Sequence, residues 1–312
     1  MICALLFLNP AKFMASPSSA YQHSHSSYQS LRHIRYHLRH WGSDTAPKIF
    51  MLHGWMDVGA SFQFVVDALQ KDWHVIAPDW RGYGLTDWPE ADCYWFPDYI
   101  ADFDAIAEAL SPNEPINLVG HSMGGNVAML YAGVRPNRVK RLINLEGFGL
   151  PGNAPEEAPA RYATWLDELR VPPTMRPYAS REAVAERLRK TNPRLTVERA
   201  DFLVGHWARE QEIATGTEWH ICGDPAHKIS NPQLYRVAEI MACWRNITAP
   251  VLWLNGQESA LRKSLTSVPD YAERLTNIKN LKLIDIDAAG HMLHHDQPEK
   301  VAQLIENFLL RA

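Results

Sequence analysis

The chain has no run of about 18 apolar residues, the length a membrane-crossing helix needs, so stable insertion into a bilayer is not expected. It has no surplus of positive charge. Thirty-one Lys and Arg face 35 Asp and Glu, a formal net charge of −4, which leaves no broad basic field to hold nucleic acid. It has only four cysteines, Cys3, Cys93, Cys222 and Cys243, and no C-x-x-C pair. That spacing speaks against zinc and against a dithiol redox motif, and suggests free thiols in a reducing, cytoplasmic setting. No basic residue precedes the apolar start "MICALLFLNP", so a secretion signal is not expected. The polar stretch "ASPSSAYQHSHSSYQS" suggests a disordered tail over residues 1–30, with His23 and His25 solvated rather than holding a metal. No internal repeat is visible.

What is present points to a large α/β protein. With 312 residues, 46% of them hydrophobic and 21% charged, the chain can bury a sizeable core. "IRYHLRHWG", "KIFMLHG", "WHVIAPDW", "INLVG" and "VKRLINLEG" read as strands. Between them, "SFQFVVDALQ" spaces Phe62, Val65, Val66 and Leu69 as one face of a helix, and "DYIADFDAIAEAL" does so with Tyr99, Phe103, Ile106 and Leu110. Strands alternating with helices of this length make a mostly parallel, doubly wound sheet covered on both faces. The alternation stops near Pro151 and resumes near Trp244 with "APVLWLNG", "LKLIDIDAAG" and the closing helix "PEKVAQLIENFLLRA". Residues 31–150 and 245–312 are therefore expected to form the core, and 151–244 a helical insertion.

One stretch carries chemistry. Gly120-His121-Ser122-Met123-Gly124 lies between an apolar strand and a helix, the context of a nucleophile elbow. There the flanking residues come so close that only glycine fits, and the serine hydroxyl is lifted above the sheet edge. A serine needs a base to take its proton and a carboxylate to orient that base. His291, in "DAAGHMLHHDQPE" after the last strand, is the candidate base; His294 and His295 read as surface or supporting residues. The N–H groups of Met123, which opens the helix, and Trp55, in "LHGWMD", are candidate oxyanion donors, with His53 bracing the loop.

Taken together, "LHGW", "PDWRGYGLTDWP", "GHSMGG" and "GHMLHHDQPE", in this order, resemble the α/β-hydrolase superfamily from about residue 34 to the end. The resemblance implies an α/β-hydrolase fold whose 151–244 insertion is a helical lid. It also implies an acid just after the strand before the last, where this chain has Ser259 in "LNGQES". Two carboxylates could serve instead: Glu258, one residue away, or Glu146 in "LINLEGFG", where the haloalkane dehalogenase-like branch places its acid. Glu146 is preferred, because glutamate has the reach and a buried carboxylate needs a partner. Serine rather than aspartate at 122 implies acyl transfer to water, with a small-molecule acyl substrate, ester hydrolysis as the default and no metal or organic cofactor. Carbon–carbon bond hydrolysis and transfer to another acceptor share the same machinery, and a non-catalytic ligand-binding role is the alternative of another class. Trp165, Trp207 and Trp219 of the insertion, with neighbouring arginines, are the expected pocket residues; Trp80 and Trp88 are expected to buttress the site.

Overall fold

The computed structural model describes residues 21–214, 216–265, 267 and 270–311. Among the described residues ten strands are present: β1 (Ser24–Leu31), β2 (Ile34–Trp41), β3 (Lys48–Leu52), β4 (His74–Pro78), β5 (Ile116–His121), β6 (Val139–Leu145), β7 (Ala208–Ile213), β8 (Gly216–Ile221), β9 (Val251–Gly256) and β10 (Leu281–Ile286). Eight of them form one sheet in the order β1-β2-β4-β3-β5-β6-β9-β10. From β4 to β10 every neighbouring pair is parallel, while β2 runs antiparallel to both β1 and β4.

The two-residue period of the strands divides the core into two layers. Phe50 and Leu52 of β3, Leu118 of β5, Leu142 of β6 and Trp253 of β9 enter one layer. Their neighbours Ile49, Met51, Val119, Ile143, Leu252 and Leu254 enter the other. Helices cover both sides. In chain order they are α1 (Gln63–Ala68), α2 (Phe96–Leu110), α3 (Met123–Val134), α4 (Ala158–Arg170), α5 (Arg181–Thr191), α6 (Val197–Trp207), α7 (Val237–Arg245), α8 (Ala260–Leu265), α9 (Tyr271–Leu275), α10 (Leu293–Asp296) and α11 (Pro298–Leu309). Phe103 of α2, Val127 of α3 and Trp244 of α7 join the first layer. Val65 of α1 and Val301 and Ile305 of α11 join the second. Each such side chain, fully buried, contributes about 1.5–3 kcal/mol.

Two expectations are corrected here. Residues 24–30, assigned above to a disordered tail, belong to β1, which pairs along its whole length with β2. The strand is polar on its open side because it is the sheet edge, so composition hid it. Residues 1–20 and Cys3 lie outside the described residues. The insertion between β6 and β9 is also not purely helical, since β7 and β8 form an antiparallel hairpin in it. Its side chains are mostly exposed, so no apolar alternation marked it. Among the described residues, no helix is long and apolar enough to cross a membrane.

Candidate active site

The parallel strands end together at one edge of the sheet, and the site is built from the loops leaving β3, β5, β6, β9 and β10. Ser122 occupies the turn between β5 and α3 with φ 51° and ψ −115°, a left-handed conformation that non-glycine residues adopt at a cost of order 1–3 kcal/mol. Its N–H bonds to the Leu145 carbonyl at 2.8 Å, tying the turn to β6. The flanking glycines are sterically obligatory. A Cβ on Gly120 would lie 2.4 Å from the Gly124 carbonyl oxygen, and one on Gly124 would lie 2.1 Å from that of Leu52.

Three of the sequence-identified residues come together. Ser122 Oγ lies 3.0 Å from Nε2 of His291, and His291 Nδ1 lies 2.9 Å from Oε2 of Glu146. Glu146 is buried and also has positive φ (57°) at the end of β6. Its remaining bonding capacity is filled: Oε1 accepts from the Gly256 N–H at 2.6 Å, and Oε2 from the Ser259 hydroxyl at 2.6 Å. Ser259, which stands where the superfamily usually has its acid, thus donates a hydrogen bond to the displaced carboxylate. Sequence reasoning noted that serine could not supply charge and missed that it could support a neighbour's. Glu258 points elsewhere and pairs with Arg194 of the insertion, both side chains partly exposed.

The loop after β3 closes over the serine. Gly54 is so near that a Cβ there would meet Ser122 Cβ at 3.2 Å. Trp55 is half exposed and Met123 opens α3, and both line the same cavity as Ser122. His53 is fully buried and braces this loop: its Nε2 accepts from the Trp80 N–H at 2.9 Å, and its carbonyl accepts from the Trp80 indole at 3.0 Å. Burial pushes His53 down to about 4, so it stays neutral. Trp80 is buried beneath the site, whereas Trp88 is half exposed. Asp79 anchors the same region by accepting from the Gly59 and Leu85 N–H groups and the His37 ring.

His294 and His295 are not surface residues. Both are buried on the short helix α10, where their Nε2 atoms lie 3.1 and 2.7 Å from Ser61 Oγ. The surrounding sequence is polar, but α10 packs beneath the loop after β3 and takes these rings inside.

Two cavities meet at Ser122 and Trp55. The larger, about 740 Å³, is lined by Tyr94, Trp95, Tyr235, Ile240 and Arg161 among others. The smaller, about 250 Å³, is lined by His291, Leu188, Leu195, Leu203 and Trp207. Of the three tryptophans expected in the pocket, only Trp207 lines one of these two cavities, and its indole donates to the Met56 carbonyl at 2.6 Å. Trp219 is held in the β7–β8 hairpin by its backbone bonds to Tyr178, and Trp165 sits on α4; neither lines either of the two. The aromatic wall comes instead from "CYWFPDY", residues 93–99, on the core side of the cleft.

A family profile described as the alpha/beta hydrolase fold matches residues 47–298, and the chain belongs to that family. Within it, the proteins similar to this chain include serine hydrolase-like ones. A serine hydrolase-like protein of Danio rerio is 27% identical over 277 residues, covering 86% of this chain and 83% of that one. A 3-hydroxybutyrate-oligomer hydrolase of Cupriavidus necator is 27% identical over 281 residues, covering 87% and 91%. Among solved structures, a thioesterase domain from the curacin biosynthetic pathway superposes with a TM-score of 0.78 at 26% identity, covering 91% of this chain and 99% of that one.

Proposed function

We propose that the chain hydrolyses a carboxylic ester or closely related acyl substrate through an acyl-enzyme on Ser122. The observation that carries this reading is the continuous hydrogen-bonded line from Ser122 Oγ through both ring nitrogens of His291 to Glu146. His291 Nε2 takes the hydroxyl proton as Oγ attacks the acyl carbon. Glu146 accepts from Nδ1–H and offsets the imidazolium charge. The oxyanion forms at the N-terminus of α3, where the Met123 and Trp55 N–H groups receive it; each such donor supplies about 2.7–4 kcal/mol. As the tetrahedral centre collapses, the leaving alkoxide takes the proton from Nε2. Water then repeats the sequence on the acyl-enzyme and restores Ser122.

The insertion acts as the lid, and the aromatic cavity beside Ser122 suits an apolar acyl chain. Arg161 in its wall suits a substrate with an acidic end. That the Cupriavidus necator relative is named for hydrolysis of 3-hydroxybutyrate oligomers supports an ester-type substrate. The free thiols of Cys93, Cys222 and Cys243 support a reducing, cytoplasmic setting.

A fluorophosphonate probe tests the nucleophile. The wild-type chain should label at Ser122 and Ser122→Ala should not; an unlabelled wild type would leave the non-catalytic, ligand-binding role. Short p-nitrophenyl esters set against a vinylogous diketo acid then test the bond cleaved. Preference for the diketo acid would replace ester hydrolysis with carbon–carbon bond hydrolysis by the same residues.

A further inference from the structure

Behind the Ser122–His291 pair lie three buried groups that the proposed chemistry does not use. Asp57, His121 and His294 each offer one donor atom, and the three atoms lie within 4.8 Å of one another. All three residues are more than nine-tenths buried. Asp57 Oδ2, His121 Nδ1 and His294 Nδ1 are also buried atoms with no hydrogen-bond partner. An orphaned buried polar atom costs about 1–3 kcal/mol, so three in one place need a common occupant.

The proton positions say what that occupant offers. His121 Nε2 lies 2.9 Å from the main-chain carbonyl of His291, an acceptor only, so Nε2 carries the hydrogen and Nδ1 presents a lone pair. His294 Nε2 faces Ser61 Oγ, which can accept from it, and its Nδ1 likewise presents a lone pair. Asp57, as a carboxylate, accepts too. A single water has two hydrogens and would leave one of three acceptors unmet, whereas a cation meets all three.

We propose that Asp57, His121 and His294 form a binding site for a divalent transition metal of the Zn²⁺ type. Two neutral imidazoles and a carboxylate are a donor set suited to this ion, and they leave a fourth tetrahedral position open. Bonds of about 2.0–2.1 Å bring tetrahedral donors to about 3.4 Å apart, so loading draws the side chains inward by about an ångström. The route in is the smaller cavity, whose wall includes Asp57 and His121 next to Ser122. Spacing along the sequence gave no sign of such a site because its donors come from the loop after β3, the end of β5 and helix α10. A consequence, which rests on the hydrolase reading above, is inhibition. The His121 and His291 rings lie 4.8 Å apart, and a bound cation so near opposes the charge His291 must acquire in turnover.

The test is equilibrium dialysis of the chelator-treated full chain against Zn²⁺, followed by a metal count. Wild type should retain one tightly held ion. Asp57→Asn and His294→Gln should weaken retention by at least about a hundredfold, more than loss of an outer-shell partner costs. His25→Gln, in a separate cluster with His40 and Asp44, should retain the ion. Equal retention by all variants, or none by wild type, overturns the proposal. A Co²⁺ spectrum of the wild-type chain needs no variant: intense visible absorption of the tetrahedral kind is expected, and its absence overturns the site. Zn²⁺ inhibition, scored against each variant's own metal-free activity, should be lost in step with retention. Retention without inhibition would keep the site and overturn its coupling to His291.

Discussion

The two sides of the cleft are built differently. On the sheet side, α3 buries nine of its 12 residues, and the loops that carry Ser122, Glu146 and His53 are fixed by buried hydrogen bonds. On the insertion side, α4 buries none of its 13 residues, and the charged groups there pair mostly at the surface. Specific side-chain and backbone bonds join the two. Trp207 bonds to Met56, Arg209 bonds to the Gly84 carbonyl, Tyr94 bonds to Asp224, and His227 stacks between Tyr83 and Tyr94. A dense frame fixes Ser122, His291 and Glu146, while a more thinly packed insertion lines part of the cleft. Changes to the frame should therefore act on turnover and stability, and changes to the insertion on recognition.

The sharpest way to break this contrast is through the two candidate carboxylates. Glu146→Gln should lower kcat about 10⁴-fold, as loss of an orienting carboxylate does in serine proteases, with KM little changed. Glu258→Gln should leave kcat within about twofold, since its pair with Arg194 is partly exposed and such pairs contribute little. Steady-state kinetics on one ester decide it, and the reverse result would move the acid to the edge of the insertion.

Stability offers the next test. Phe103→Ala, in the fully buried layer under α3, should lower unfolding free energy by about 3–5 kcal/mol in urea titration. Leu166→Ala, on the exposed face of α4, should change it by no more than about 0.5 kcal/mol. Comparable losses would mean that the insertion is as firmly packed as the sheet.

The frame should also carry an acid-sensitive element. Burial alone would raise the Asp79 carboxyl, but hydrogen bonds from His37 and the Leu85 N–H, with the His37 charge, hold it well below the usual carboxylate range. A depressed folded-state value means stability that is present in full above the unfolded-chain value of about 4 and lost as pH falls below it. The Tm lead of wild type over Asp79→Asn should be constant at neutral pH and shrink below about pH 4. A lead that grows on acidification would contradict this.

The smallest effect belongs to the insertion. Arg161→Ala should raise KM for an ester with a terminal carboxylate by about ten- to a hundredfold, the equivalent of about 1.5–3 kcal/mol, and leave kcat nearly unchanged. An uncharged ester of the same length should be indifferent to the change. A fall in kcat instead would place Arg161 with the reacting groups.

The same division explains what could be read in advance. Strands β3, β5, β6 and β9 are apolar because both faces are covered, and the glycines around Ser122 are dictated by backbone contacts, so both left marks in the sequence. Glu146 was legible because its strand and its reach were. Edge strand β1 and the β7–β8 hairpin were not, since solvent on their open faces removes the apolar alternation that marks a strand. The donation from Ser259 to Glu146 joins residues 113 positions apart, and the Asp57–His121–His294 cluster draws on a loop, the end of β5 and helix α10. Only the assembled fold brings such pairs together. Trp165 and Trp219 were misplaced for a third reason: aromatic residues in an insertion can as readily brace it as face the cleft, and composition does not distinguish the two.

The account turns on a covalent intermediate, and rapid-quench mass spectrometry on a p-nitrophenyl ester tests that most directly. A burst of nitrophenol equal to the enzyme present should appear together with one acyl group on the peptide that carries Ser122. Turnover with no acylated peptide under conditions that trap the burst, or an acyl group on any other residue, would contradict it.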